Sequence, residues 1–369
     1  MSSIRPIKIG ILSCNHGHAK GYYGIKDDPH FEVVGLSTRY DAEGLERAPD
    51  LAKYPTDDAL YEAHPDMEAV IIASDNKAHM QQVRWACERG LHIFSMKIPS
   101  FDMEEYREMI ELTEAKGLVC QIELEMRNHA PIYRAKELMQ SGALGEVLSI
   151  NMINYSHNPV WWRAWQCDPE ESWGKEVPLR EGDARYRGGA LADHPHIFDL
   201  VRFLTDDSID EVYADVAPNL REGVKTEDMV RVMGRMKGGV IFSLDPSYAN
   251  DEAHIPQQVA GWEKYPRPVE VTLNIVGSKG TIVANLYGKS TYMQTPEHPE
   301  YTSTYLEDPV GLWNRRTMEF YQCVREGAVP TVHLRNHLES IMAMVAAYDS
   351  ITCGKPCKVP PVETVLPKA

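Results

Sequence analysis

Between residues 7 and 122 the chain alternates short apolar runs with stretches of helical length. Residues 7–12, 31–36, 69–73, 91–95 and 118–122 read as strands. Residues 18–26, 41–52, 77–89 and 102–116 read as helices. The last two stop at Gly90 and Gly117, where a glycine accepts the left-handed conformation that closes a helix. Strands that are nearly continuous in apolar residues bury both faces. Joined by helices, they form a parallel sheet covered on both sides. The pattern predicts an α/β domain over residues 1–125.

From residue 126 the pattern changes. A helix over 131–141 ends at Gly142. Strand-like runs follow at 147–155, 209–216, 229–236, 240–244, 269–276 and 281–286. Two pairs are joined by tight turns, Lys237-Gly238-Gly239 and Gly277-Ser278-Lys279-Gly280, which is hairpin spacing and implies antiparallel pairing. Helices recur at 195–204, 312–326 and 335–352. Residues 126–369 therefore read as an α+β domain, an open and mostly antiparallel sheet with helices on one side. The total of 369 residues suits two domains.

Composition narrows the function. Asp and Glu outnumber Lys and Arg 54 to 38, a net charge of −16. Such a surface opposes non-specific nucleic-acid binding and anionic membranes. No apolar run has the length of a bilayer span. Residues 1–6 lack the charged, apolar and small-residue regions of a signal peptide. The seven cysteines are scattered and odd in number, so the expectation is a reduced protein of the cytoplasm with no disulfide framework.

Four segments carry chemistry. The turn after the first strand, Ser13-Cys14-Asn15-His16-Gly17, stands where a dinucleotide-binding fold has Gly-x-Gly-x-x-Gly. Asn15, which tolerates left-handed backbone, could replace one glycine, and the alternative is an ordinary βα turn. The second strand ends in Ser37-Thr38-Arg39, where hydroxyls plus an arginine suit a 2′-phosphate better than a 2′-hydroxyl. The alternative there is a solvated arginine. Lys97 follows the fourth apolar strand, at the carboxyl edge where parallel sheets bind ligands.

In Asp193-His194-Pro195-His196, Pro195 suits a first helical position. His196 then falls in the first turn, where the helix dipole favours the neutral imidazole that a general base needs. Asp193 could orient it. A metal site of Asp193, His194 and His196 with Glu123 or Glu125 is a second reading, and a cap plus a core histidine is a third. Residues 161–165, Trp-Trp-Arg-Ala-Trp, offer aromatic faces for a sugar or anchors for an oligomer contact.

These residues, in this order, resemble the glucose–fructose oxidoreductase / inositol dehydrogenase (Gfo/Idh/MocA) family from about residue 7 to residue 359. Ala73-Ser74-Asp75-Asn76-Lys77-Ala78-His79 is similar to its Ala-Thr-Pro-Asn-x-x-His segment. Phe94-Ser95-Met96-Lys97 is similar to its Glu-Lys-Pro strand end. Asp193 to His196 is similar to its Asp-x-Gly-x-His, one residue shorter. Residues 133–147, 277–281 and 346–350 also follow its wording.

The resemblance implies a Rossmann domain, an oligomerising open sheet, and an NAD(P) cofactor, with NADP slightly favoured by Ser37-Thr38-Arg39. It implies an oxidoreductase of a sugar or polyol hydroxyl, with no metal. Lys97, His196 and Asp193 would be catalytic. Ser13, Asn15, His16, Gly17, Ser37, Thr38, Arg39, Ser74, Asn76 and His79 would hold the cofactor. Tyr155, Trp162, Arg163 and His194 would meet the substrate. The expected assembly is a dimer or tetramer. A metal-dependent lyase or isomerase of oxidised sugars, or a sensor without cofactor, are the alternatives on the same scaffold.

Overall fold

The computed structural model describes residues 4–16, 23–40, 48–156, 168–219, 223–248, 270–299, 301–304 and 309–366. Its first strands are β1 (Ile7–Leu12), β2 (Phe31–Ser37), β3 (Lys53–Tyr54), β4 (Ala69–Ile72), β5 (His92–Ser95) and β6 (Cys120–Ile122). They form one sheet in the order β3-β2-β1-β4-β5-β6, parallel throughout. The strand order reverses between β1 and β4, which opens a crevice at the carboxyl ends of those strands.

Alternate residues of β4 enter two different cores. Val70 and Ile72 pack on one side and Ala69 and Ile71 on the other, as a doubly covered sheet requires. The helices of this half are α1 (Asp57–Ala63), α2 (Asn76–Glu88) and α3 (Met103–Ala115). Thr56 caps α1 by accepting the Ala59 N–H at 3.0 Å, and Asp102 caps α3 by accepting those of Glu104 and Glu105.

Two expected helices differ. Residues 48–52 form a turn rather than the end of a helix, while 41–47 lie outside the described residues. Of residues 18–26, the described part belongs to a short 3₁₀ turn, Tyr23–Asp27. Helix α1 was not expected, because its apolar positions are too few to set a period.

The second half contains α4 (Ala130–Gln140), β7 (Val147–Tyr155), α5 (Pro169–Ser172), α6 (Ala190–Asp193), α7 (Pro195–Thr205) and β8 (Ile209–Val216). Strands β9 (Val230–Met236), β10 (Ile241–Ser247), β11 (Glu270–Gly277), β12 (Gly280–Asn285), β13 (Ser290–Gln294) and β14 (Tyr301–Thr304) follow. The chain continues through α8 (Pro309–Glu326), α9 (Leu334–Cys353) and β15 (Cys357–Lys358). These nine strands pair in the order β14-β13-β12-β11-β7-β10-β9-β8-β15. All pairings are antiparallel except β7 with β10.

Strand period splits the two faces of this sheet. Ile150, Met152 and Asn154 are buried, whereas Tyr213, Met233 and Ile241 are 39%, 59% and 49% exposed. Helices α7 and α9 lie over the buried face. Helix α8 returns to the first sheet, where the ring of Phe320 lies 5.6 Å from that of Phe94 and Arg325 holds Glu68. We therefore propose the domain boundary near Glu125, with α8 a segment of the second half docked on the first. Among the described residues, no helix is long and apolar enough to cross a membrane.

Candidate active site

Lys97 leaves the carboxyl end of β5 and buries its side chain, which is 4% exposed. Its ammonium donates to the Asp193 carboxylate and to the Asp193 carbonyl, both at 2.5 Å. Burial alone would raise the Asp193 carboxyl. The charges of Lys97, His194 and His16 outweigh that and hold it well below the usual carboxylate range. Asp193 therefore stays ionised in a site with little water, where a fixed charge acts most strongly.

Asp193 is the last residue of α6, and Pro195 is the first of α7. His194 between them breaks the helix with φ −112° and ψ 53°. The break sends the two histidines in different directions. The His194 ring lies 3.0 Å through Nε2 from Ser156 Oγ and 4.0 Å through Nδ1 from Asp193. His196 Nε2 instead approaches Glu125 Oε2 at 3.6 Å. Glu125 in turn lies 3.9 Å from Arg316, which pairs more closely with the buried Glu123.

Asp193 thus holds Lys97 and faces His194. The carboxylate beside His196 is that of Glu125, which corrects the expectation that Asp193 orients His196. Among the described residues, no three His, Cys, Asp or Glu side chains gather as a metal site, so the lyase reading finds no ligand set there.

A clamp fixes the start of this segment. Glu227 is fully buried, and its Oε1 accepts the N–H groups of Gly189 and Leu191 at 3.1 Å each. The same oxygen accepts the Tyr348 hydroxyl at 2.6 Å, while the Tyr348 oxygen accepts the Gly188 N–H at 3.1 Å. Burial pushes the Glu227 carboxyl up to about 7, against the opposing pull of these donors. A Cβ at Gly189 would sit 2.0 Å from the Glu227 carbonyl oxygen, so the close approach needs glycine. No sequence pattern marks this clamp, since Glu227 and Tyr348 are distant from the motif they hold.

The crevice residues occupy the expected edge with changed roles. The left-handed residue of the first turn is Ser13, with φ 73°, not Asn15. Asn15 instead ties three strand ends together, donating through Nδ2 to the Tyr40 carbonyl at 2.7 Å and to Asp75 at 3.2 Å. The His16 N–H goes to the Ala73 carbonyl at 3.0 Å. Ser74 donates to Gln82 at 2.6 Å, and Asn76 reaches the Ser172 carbonyl at 3.0 Å, joining the two halves of the chain. His79 is buried with its ring nitrogens on the carbonyls of Ile98 and Ser74, which braces the segment after Lys97. Thr38 bonds the Tyr54 carbonyl at 3.1 Å. Ser37 donates to Asp57 at 2.5 Å, and Arg39 lies 3.9 Å from the same carboxylate.

Tyr155 is misplaced by one residue. Its hydroxyl donates to Asp245 at 2.8 Å, which also pairs with Arg231, a residue of the open face. Ser156, one step on, points to the helix side and meets His194. Asn154 shares that side, fully buried, with neither amide atom hydrogen-bonded. Gly17, Trp162 and Arg163 lie outside the described residues.

The 3-2-1-4-5-6 strand order and a buried Lys–Asp pair at the carboxyl edge define a dinucleotide-fold oxidoreductase. Residues 7–124 match the family model described as an oxidoreductase family with an NAD-binding Rossmann fold. Residues 132–283 match the GFO/IDH/MocA C-terminal domain. The chain belongs to the Gfo/Idh/MocA oxidoreductase family.

It is 21% identical over 304 residues to 1,5-anhydro-D-fructose reductase of Ensifer adhaerens, covering 80% of each chain. It is 23% identical over 295 residues to myo-inositol 2-dehydrogenase of Thermotoga maritima, covering 78% of each. Its fold matches levoglucosan dehydrogenase in complex with NADH and L-sorbose, with a TM-score of 0.75 and 18% identity, covering 97% of this chain and all of that one.

Proposed function

We propose that the protein is an NAD(P)-dependent dehydrogenase acting on a secondary hydroxyl of a sugar or polyol. The observation that carries this is the buried Lys97–Asp193 pair, with Lys97 Nζ 2.5 Å from the carboxylate at the mouth of the crevice. The residues around the crevice suit a dinucleotide. Ser13 makes the left-handed turn that glycine usually makes, and Asp57 Oδ2 is a buried oxygen with no hydrogen-bond partner at the end of β2.

A nicotinamide cofactor would supply the hydride acceptor for the carbinol carbon. Lys97 donates to the substrate oxygen and stabilises its charge as the proton leaves. Asp193 fixes Lys97. His196 takes the proton, and Glu125 beside it favours the imidazolium that results. Ser156 fixes the His194 ring, and His194 with Asn154 offers hydrogen bonds to other hydroxyls of the substrate. The sugar and polyol names of the two curated relatives support this substrate class.

The open face carrying Tyr213, Met233 and Ile241 suits a contact between copies of this chain, since exposed apolar sheet surface needs cover. The test is a titration of NADH and NADPH followed by fluorescence, then turnover on a panel of sugars and polyols. Saturable binding and oxidation of a polyhydroxylated substrate support the reading. Failure of both dinucleotides to bind at millimolar concentration overturns it.

A further inference from the structure

We propose that Asp57 is the acidic residue that reads the adenosine ribose of the cofactor, and that it selects NAD over NADP. The proposal rests on the dehydrogenase reading above. In dinucleotide-binding sheets an acid at the end of the second strand accepts the ribose 2′-hydroxyl. Here β2 ends in Ser37 and continues through Thr38 and Arg39, with no acid. The structure brings one from elsewhere. Strand β3 runs parallel to β2 with Ser37 opposite Tyr54. Three residues after Tyr54 the chain begins α1 with Asp57, and the side chain returns to the end of β2.

Ser37 and Asp57 are 0% and 1% exposed, and the Ser37 hydroxyl donates to Asp57 Oδ1 at 2.5 Å. The second oxygen, Oδ2, has no hydrogen-bond partner. Arg39 stands 3.9 Å from it, beyond hydrogen-bond length. Gln82 stands close enough to the carboxyl to favour its ionised form, although its Nε2 does not meet hydrogen-bond geometry with it. A buried carboxylate oxygen left open is costly, and a donor that reaches it relieves the cost. A ribose 2′-hydroxyl is such a donor. A 2′-phosphate carries negative charge and is repelled.

The neighbours point the same way. Ser37 has one hydroxyl proton and gives it to Asp57, so it has none for a phosphate. Arg39 faces the same carboxylate at 3.9 Å. Ser37 and Arg39, which in sequence resemble a phosphate pocket, are in the fold the surroundings of a carboxylate. On this proposal the preferred cofactor is NAD, opposite to the NADP expected from the sequence.

The experiment measures dissociation constants of NADH and NADPH by fluorescence and calorimetry for the wild type, Asp57→Asn and Arg39→Ala. Wild type should bind NADH at least about tenfold tighter than NADPH, the scale of one charge-assisted contact. Asp57→Asn should weaken NADH and strengthen NADPH, closing most of that gap. Arg39→Ala, a change at a part-exposed side chain, should shift both cofactors by similar small factors. Tighter NADPH binding by the wild type overturns the proposal, as does a selective NADPH loss in Arg39→Ala. An unchanged ratio in folded Asp57→Asn also overturns it and leaves the dehydrogenase reading standing. No binding of either dinucleotide by the wild type overturns both.

Discussion

The clamp at Glu227 makes a prediction about pH. Its carboxyl is raised from the ordinary 4.5 to about 7 by burial. A folded-state value above the unfolded one means that the folded protein binds the extra proton. The stability from this group is therefore complete below the ordinary glutamate range and is lost as pH rises through about 7. One pKa unit corresponds to about 1.4 kcal/mol, so the group contributes up to about 3 kcal/mol between these limits. Glu227→Gln keeps the shape and an acceptor for the Gly189 and Leu191 N–H groups, and it cannot ionise. Urea unfolding of both proteins, from about pH 4.5 to about pH 8.5, should give profiles that diverge. The wild type should lose stability toward high pH by up to about 3 kcal/mol more than the variant. Parallel profiles would refute the assignment of a proton to this buried carboxyl. Tyr348→Phe removes a donor to Glu227 and an acceptor for Gly188, and should cost about 2 kcal/mol by the same assay.

Lys97→Ala should lower turnover by about a hundredfold or more while NADH still binds, and stopped-flow rates with fluorescence titration separate the two effects. His196→Ala should do the same, and Glu125→Gln should move the lower limb of the kcat/KM pH profile, whereas His194→Ala should raise KM more than it lowers kcat. If His194→Ala alone abolishes turnover, the proton acceptor is His194. If copies of the chain meet through the open face as proposed, Met233→Asp should lower the mass seen by light scattering without unfolding the protein, and an unchanged mass would refute that contact.

The fold was legible because it rests on local signals. The apolar strands of the first sheet are buried on both faces, and that requirement is written directly in runs such as Ala69-Val70-Ile71-Ile72. The two hairpin turns of the second sheet were equally plain. The pairing of β7 with β10 was not, because parallel partners meet through a long excursion that no local pattern records. Tyr155 shows how narrow the margin is within a strand. Period two places Asn154 and Ser156 toward the helices and Tyr155 on the open face, so a one-residue step exchanges one face of the sheet for the other.

The site was legible in its residues and less so in its partnerships. Lys97 stands at the crevice edge that the strand–helix alternation already implied, and Asp193 meets it there. Their partners came from remote chain. Glu125 follows β6, Ser156 follows β7, Glu227 precedes β9, Arg316 belongs to α8 and Tyr348 to α9. Each is an ion pair or hydrogen bond between residues that no sequence period connects. The same limit governs the cofactor loop. Ser37-Thr38-Arg39, taken alone, describes a pocket for a phosphate, because hydroxyls and a guanidinium are donors. Once Asp57 is placed against them, the serine proton is spent and the arginine faces an anion. The sign of a site's preference belongs to the whole set of charges within a few ångströms, and the proposed choice of NAD rests on one carboxylate contributed by helix α1.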